Sequence, residues 1–115
     1  MQNQIWTYRE DIWITADLTG FNVEALDGEI GSVDEKTNDV GSSYIVVDTG
    51  PWIFGKKVLL PAGVVERVDL DTETIFVSRT KDEIKDSPEF DESTYRDEDY
   101  RRRVGAYYTT DSDLR

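Results

Sequence analysis

The fold of this chain is decided by one stretch, residues 44–61, which runs YIVVDTGPWIFGKKVLLP. It is the densest apolar region, and turn-forming glycine and proline residues interrupt it at positions 50–51, 55 and 61. Apolar, β-branched runs bounded by such residues are typical of buried strands. The stretch therefore predicts two central strands and a short connection between them that carries Trp52, Ile53 and Phe54.

Outward from this stretch, the chain contains four more short apolar runs separated by turn signals. The run 21–25 alternates as a half-buried strand does, and Asp27-Gly28 after it is a strong hairpin signal. Gly31 lies in the returning run, where a glycine indicates a bulge or a close backbone approach. A sheet this small cannot bury itself while flat, so we expect a mainly β fold that closes into a six-stranded barrel. The six predicted strands are residues 21–25, 29–35, 44–49, 57–60, 64–68 and 74–78.

Directly after the last predicted strand, Thr80-Lys81-Asp82-Glu83 has the pattern of a helix capping box. The Thr80 hydroxyl would accept a hydrogen bond from the third amide of the helix, while the Glu83 carboxylate accepts one from the Thr80 amide. Ile84 would then pack on the barrel, and Pro88 would end the helix. We expect one short helix here.

The composition limits the chain to one small domain. Its 115 residues match the usual size of a single hydrophobic core, and 37% of them are hydrophobic. No window approaches the roughly 18 apolar residues that a membrane span needs, and the first residues show no secretory signal. The chain contains no cysteine, which excludes disulfides and thiolate metal sites. We expect a cytoplasmic location.

The formal net charge of −12 argues against two classes of partner. A protein that binds a nucleic-acid backbone or an anionic membrane needs a basic face. Asp and Glu number 25 against 13 Lys and Arg, and we see no basic patch outside Arg101-Arg102-Arg103. We therefore expect neither nucleic-acid binding nor membrane insertion. An acidic surface instead confers solubility and steers basic partners.

The residue types also argue against catalysis. The chain has no histidine and no cysteine, the side chains used most for acid–base and nucleophilic chemistry near neutral pH. Two acidic clusters, Asp69/Asp71/Glu73 and Asp97-Glu98-Asp99, could attract a hard cation, but turn formation and solvation account for both. We expect a protein that is not an enzyme and has no catalytic residues, no metal site and no cofactor.

Four stretches together resemble the PRC-barrel domain, in the order and spacing of that family: Asp27–Val33, Tyr44–Asp48, Lys57–Pro61 and Thr80–Pro88. The domain is shared by the cytoplasmic part of the photosynthetic reaction-centre H subunit and by a bacterial ribosome-maturation factor. This chain looks like the small stand-alone bacterial members. The resemblance covers about residues 20–88, which leaves 1–19 as an N-terminal extension and 89–115 as an acidic, aromatic C-terminal extension. It implies a six-stranded barrel that acts as a docking platform for protein and has no catalytic residues.

Two groups of residues are candidate partner contacts. The first is Trp52, Ile53 and Phe54 with Lys56 and Lys57, because a glycine-bounded loop can present a tryptophan as a binding anchor. The alternative is that these rings cover one end of the barrel. The second group is Tyr100 with Arg101, Arg102 and Arg103, whose alternative role is the charged face of a short terminal helix.

Aromatic residues in both extensions need apolar partners, either in the same chain or in another copy. We therefore expect a protein-binding module that associates with itself as a homo-oligomer. Two alternatives stay open. One is an adaptor that docks on a ribosomal or membrane-complex protein, and the other is a stress protein that binds a small ligand or cation through its acidic surface.

Overall fold

Six strands and two helices are the main regular elements of the residues that the structure describes. The computed structural model describes residues 5–6, 8, 17–36, 43–49, 57–88, 90, 93 and 95–113. The six strands coincide with the six predicted apolar runs to within one residue at each end. The elements are β1 (Asn22–Ala25), β2 (Gly28–Lys36), β3 (Tyr44–Asp48), β4 (Lys57–Pro61), a 3₁₀ turn (Ala62–Val64), β5 (Val65–Asp69), β6 (Thr74–Val77), α1 (Lys81–Lys85) and α2 (Glu98–Asp113).

The six strands form one mixed sheet in the order β4-β3-β2-β1-β6-β5. Neighbouring strands are antiparallel except β1 and β6, which run parallel. β1 and β2 form the hairpin predicted from Asp27-Gly28. The prediction of a mainly β domain with six strands is therefore confirmed.

The predicted closure into a barrel is wrong. Among the described residues, β4 and β5 are the two edges of the sheet, and no ladder joins them. At the corner between them the backbone forms hydrogen bonds with residues next to β3 and β6. The Ala62 amide donates to the Ser43 carbonyl (3.0 Å), and the Ser78 amide donates to the Val64 carbonyl (2.9 Å). Closure was expected because a small sheet must bury its apolar side chains. The extensions meet that need instead, because their aromatic side chains join the core.

Gly31 marks a bulge and a close backbone approach, as predicted. The register of β1 against β2 shifts between Val23 and Glu24, and Gly31 has a φ of +151°. A Cβ at Gly31 would lie 2.0 Å from the carbonyl oxygen of Asp48 on β3. Only glycine therefore lets β2 pass the end of β3 this closely.

The capping box is present at the start of α1. The Glu83 amide donates to the Thr80 hydroxyl (3.2 Å), and the Thr80 amide donates to the Glu83 carboxylate (2.9 Å). A third bond runs from the Lys81 amide to the carboxylate of Asp27 (2.8 Å), which ties α1 to the β1–β2 hairpin. A cap of this kind contributes about 1 kcal/mol to stability. Ile84 is fully buried, as predicted.

The C-terminal extension contains a much longer helix than the sequence predicts. α2 has 16 residues and packs against β4. Its buried side chains Tyr100, Val104 and Tyr108 recur every four residues, the spacing of a helix that lies on a core. Gly105 lies under the indole of Trp6, because a Cβ there would approach the indole nitrogen to 2.9 Å. In the described part of the chain, neither helix is long and apolar enough to cross a membrane.

Candidate partner-binding face

The two faces of the sheet differ in polarity. Successive residues of a strand point to opposite sides, so Val23 and Ile75 share one side while Glu24 and Phe76 share the other. We call the side of Val23 the core face, because it is apolar and buried. We call the side of Phe76 the outer face. Further outer-face residues follow from the strand register: Asn22, Ser32, Thr74, Asp48 and Lys57.

One half of the outer face, over β3 and β4, is covered. Tyr44 and Val46 lie on the same side as Asp48, yet both are buried. The Tyr95 ring meets the Tyr44 ring edge-on at 6.3 Å and lies 4.8 Å from the Phe90 ring. The C-terminal extension therefore covers the outer side of these two strands, which we call the covered half.

A charged hydrogen bond fixes this cover. The Tyr95 hydroxyl donates to the Glu35 carboxylate (2.8 Å), and the Arg96 guanidinium donates to the second oxygen of that carboxylate (3.2 Å). The guanidinium of Arg96 also lies 4.9 Å from the centre of the Tyr95 ring. Burial raises the pKa of Tyr95, and its bond to Glu35 raises it further. The phenol therefore stays a hydrogen-bond donor at neutral pH.

A second set of contacts holds α2 at the end of β6. Arg79 is only 8% exposed, donates to the backbone carbonyl of Tyr108 (3.0 Å) and lies over its ring. The Tyr107 hydroxyl donates to the carbonyl of Glu83 on α1. The Tyr100 hydroxyl reaches the carbonyl of Pro88 (3.2 Å). These contacts join the long helix to the rest of the fold.

The other half of the outer face, over β5, β6, β1 and the start of β2, is not covered by the described part of the extensions. We call it the uncovered half. One row of side chains crosses its four strands, because Arg67, Phe76, Glu24 and Glu29 are successive register partners. Arg67 and Glu29 are exposed, and Phe76 and Glu24 are half-buried. The Arg67 guanidinium lies 4.1 Å from the centre of the Phe76 ring, a close cation–π contact.

Phe76 differs from every other aromatic side chain that the structure describes. It alone belongs neither to the hydrophobic core nor to the residues packed against that core. Aromatic and arginine side chains are the types most enriched where proteins bind one another. Phe76 and Arg67 are therefore candidate partner contacts on the uncovered half.

The neighbours of Phe76 support a binding role. Glu24 and Glu29 are cross-strand partners, and like charges placed directly opposite each other destabilise a sheet. Within the described residues, neither carboxylate takes part in a salt bridge. A cationic group of a partner would relieve this repulsion.

The predicted contacts in the β3–β4 connection fall mostly outside the described residues: Trp52, Ile53, Phe54 and Lys56. Lys57 is described and forms a salt bridge with Asp34 (3.0 Å). This pair lies on the outer face, at the far side of the sheet from Phe76. The structure therefore gives Lys57 a contact within its own chain.

The predicted contacts of the C-terminal group lie along α2. Tyr100 is buried, with 2% of its surface exposed, and so faces the core. Arg101 lies 5.6 Å from the Trp6 ring, and Arg103 lies 5.5 Å from the Tyr100 ring. Arg102 binds Asp99 (2.8 Å) on the exposed side of the helix. All four residues thus make contacts within this chain, and Tyr100 offers no surface to a partner.

Asp69 is part of a turn between β5 and β6. Its carboxylate accepts hydrogen bonds from the amides of Thr72 (3.2 Å) and Asp71 (3.0 Å), and these bonds lower the pKa of Asp69. Within the described ranges, no group of three acidic side chains is arranged to hold a metal ion. Turn formation is therefore the role that the structure gives to this carboxylate.

Two buried tyrosines have strongly perturbed hydroxyls. Tyr8 is 4% exposed and Tyr108 is fully buried, and burial raises the pKa of both. The Lys36 ammonium lies 5.4 Å from the centre of the Tyr8 ring, and burial lowers the pKa of Lys36 while Asp17 opposes that shift. Tyr8 and Tyr108 belong to the core, where their rings serve packing.

The partner contacts predicted from the sequence do not include Phe76, although the sequence indicates that its side chain lies on the outer face. In the predicted strand 74–78, strict alternation places Ile75 and Val77 on one side and Phe76 on the other. The sequence does not reveal which parts of the outer side the extensions cover, because the path of an extension depends on tertiary packing. The half-buried position of Phe76 is therefore visible only in the folded chain.

The four stretches that resemble the PRC-barrel domain fall on the β1–β2 hairpin, β3, β4 and the capped helix α1. A scan against protein-family models finds none that matches the chain, and a search of curated proteins finds no similar sequence. The resemblance therefore rests on these four stretches alone.

Proposed function

We propose that this chain is a non-enzymatic protein-binding module of PRC-barrel type that associates with itself as a homo-oligomer. One observation carries the proposal: the row of exposed Arg67 and half-buried Phe76 and Glu24 on the uncovered half of the outer face. A half-buried aromatic ring flanked by a cation and an anion is typical of a binding hot spot. The rest of the described aromatic surface is used for packing within the chain.

The positions of the elements support the family part of the proposal. The hairpin at Asp27-Gly28, the two apolar strands of residues 44–61 and the capping box at Thr80 all occur where the resemblance places them. The open side between β4 and β5 departs from a closed barrel. If this chain is of PRC-barrel type, its C-terminal helix helps to bury the sheet, and no hydrogen-bonded ladder joins the edge strands β4 and β5 among the described residues.

A second candidate is an adaptor that docks on a different, basic protein. The observation that favours it is the number of carboxylates on the outer face: Glu24, Glu29, Asp34 and Asp48. Together with a net charge of −12, these would attract a basic partner and raise its association rate.

Photocrosslinking tests whether the uncovered half binds protein at all. A photoreactive phenylalanine analogue replaces Phe76 in one variant and Leu70 in a control variant, since Leu70 is 57% exposed in the β5–β6 turn. Both variants are expressed in cells and irradiated, and adducts are identified by mass spectrometry. We expect protein adducts from position 76 and few or none from position 70. Equal yields at the two positions, or none at either, would overturn the proposal.

Point substitutions are better suited to this test than removal of the C-terminal extension. Tyr100, Val104 and Tyr108 of that extension are buried in the core, so truncation would unfold the chain as well as remove a surface. Substitutions at exposed positions leave the core intact.

A further inference from the structure

We propose that the partner bound by the uncovered half is a second copy of this chain, related to the first by a twofold axis that runs parallel to β6. This inference rests on the proposed function and adds to it the symmetry of the dimer and the residues that pair across the axis. In this arrangement the two outer faces oppose each other, Phe76 meets Phe76 of the other copy, and Arg67 of each copy meets Glu24 of the other.

The order of the row makes the surface complementary to itself. Arg67 and Glu24 flank Phe76 on neighbouring strands, β5 on one side and β1 on the other. Neighbouring strands are about 4.8 Å apart, so the backbone positions of Arg67 and Glu24 lie about that far on either side of Phe76. A twofold axis parallel to the strands reverses the row, and the cation then lies opposite the anion on both sides of the axis.

The pair of glutamates favours a cation at this position. Glu24 and Glu29 are cross-strand partners with like charge, and Arg67 of the other copy would lie opposite Glu24 with Glu29 beside it. Arg67 forms no salt bridge among the described residues, so its charge is available for such a contact. Its guanidinium is held near Phe76 by the cation–π contact, which reduces the entropy lost when it pairs.

The size and charge of the surface predict weak association. Four strands at about 4.8 Å and about four residues per strand at 3.3 Å give a contact of only a few hundred Å² per copy. Stable dimers bury about 800 Å² per partner. Each copy also carries a net charge of −12, and the two copies repel each other at low ionic strength. We therefore expect a reversible dimer that forms at high protein concentration and strengthens when salt rises from about 10 mM to 150 mM.

A charge-swap experiment tests the pairing. Arg67→Glu would bring two carboxylates together on each side of the axis, and Glu24→Arg would bring two guanidinium groups together, so each variant alone should lose the dimer. Mixing the two variants gives a mixed dimer in which like charges no longer meet across the axis. Sedimentation equilibrium on the full chain, from about 5 to 500 µM, measures the dimer dissociation constant. We expect it to rise at least about tenfold in each variant alone and to return to within about threefold of the wild-type value in the equimolar mixture.

Two control variants separate the effect of pairing from that of net charge, and a separate measurement detects misfolding. Lys85→Glu changes the net charge as Arg67→Glu does, and Asp71→Arg changes it as Glu24→Arg does, but both positions are exposed and lie off the row. Neither control should alter the dissociation constant by more than about threefold. Circular dichroism and thermal unfolding of every variant show whether the fold is kept.

The possible outcomes distinguish this inference from the proposed function. If the wild type dimerises but the mixture of swapped variants stays monomeric, the twofold pairing of Arg67 with Glu24 is wrong. If the wild type stays monomeric at every concentration while position 76 crosslinks to another protein, both the twofold dimer and the self-association in the proposed function are wrong, and only the protein-binding face stands. If position 76 crosslinks to nothing, the binding face itself is wrong.

Discussion

The covered and uncovered halves of the outer face are parts of one sheet, yet they are built from different sequence patterns. In β3 and β4 the apolar residues are continuous, so both sides of each strand are hydrophobic and the outer side needs a cover. In β1 the apolar residues alternate, and in β6 Ile75 and Val77 lie on the core face while Phe76 lies on the outer face. This difference indicates that the extensions cover the part of the sheet whose outer side is apolar. In the described part of the chain, Phe76 belongs neither to the core nor to the residues packed against it, so the described packing does not account for its ring.

The largest effect is expected from the long helix of the C-terminal extension. Replacement of Tyr108 by Ala removes a fully buried ring of α2 that contacts both Arg79 and Tyr107. We expect the free energy of unfolding to fall by about 3–5 kcal/mol, measured by urea denaturation. Arg102→Ala on the exposed side of the same helix is the control and should change it by less than about 0.5 kcal/mol. Equal losses in the two variants would show that α2 is not a packed part of the core.

A matched pair of substitutions compares the two halves directly. Leu59 on β4 lies under the cover and is 2% exposed, whereas Phe76 is on the uncovered half. Leu59→Ala should lower the free energy of unfolding by about 2–5 kcal/mol, because it leaves a cavity. Phe76→Ala should lower it by about 1 kcal/mol or less, the range of strand propensity at a partly exposed position. A large loss at Phe76 would mean that its ring serves the stability of the monomer.

The strands and the first helix were predictable because their signals are local. The apolar runs, the Asp27-Gly28 turn and the Thr80–Glu83 box each act within a few residues, so the sequence places them to within one residue. The role of Gly31 was also local, since a glycine inside a strand commonly marks a bulge or a close backbone approach. These features require no knowledge of how distant parts of the chain meet.

Closure of the sheet and the path of α2 were not predictable, because both depend on distant contacts. The sequence shows apolar strands that need burial but not what buries them, and a barrel and a covering helix satisfy the same need. The stripe Tyr100, Val104 and Tyr108 was present in the sequence, yet the acids and arginines around it gave the segment the composition of a solvated tail. The same limit applies to the candidate site. The sequence predicts that Tyr100 contacts a partner, whereas Tyr100 is buried in the core.

The hydrogen bond between Tyr95 and Glu35 tests how firmly the cover is attached. Tyr95→Phe keeps the ring that packs on Tyr44 and Phe90 but removes the hydroxyl, which leaves the half-buried Glu35 carboxylate with Arg96 alone. We expect a loss of about 1–2 kcal/mol in the free energy of unfolding, since the bond is to a charged group. Hydrogen exchange should rise in β3 and β4 and stay unchanged in β1 and β6. Uniform acceleration across the sheet would indicate that the cover and the uncovered half open together.

The smallest effect at neutral pH, and the clearest dependence on pH, is expected from Tyr8 of the N-terminal extension. Its hydroxyl is buried and forms no hydrogen bond to the described protein groups, and burial raises its pKa in the folded chain above the ordinary value of 10.0. The unfolded chain therefore releases this proton first, so stability is complete below pH 10 and falls as the pH rises further, by up to about 1.4 kcal/mol per pH unit for each such phenol.

Tyr8→Phe removes this dependence for one of the two buried phenols and also removes a hydroxyl that has no hydrogen-bond partner among the described residues. We expect it to leave stability at pH 7 unchanged or higher by about 1 kcal/mol and to shift alkaline unfolding to higher pH. Urea denaturation at several pH values, with phenolate absorbance as a second signal, measures both effects. An alkaline transition identical to that of the wild type would mean that Tyr8 ionises in the folded chain, and the N-terminal extension would then not be part of the core.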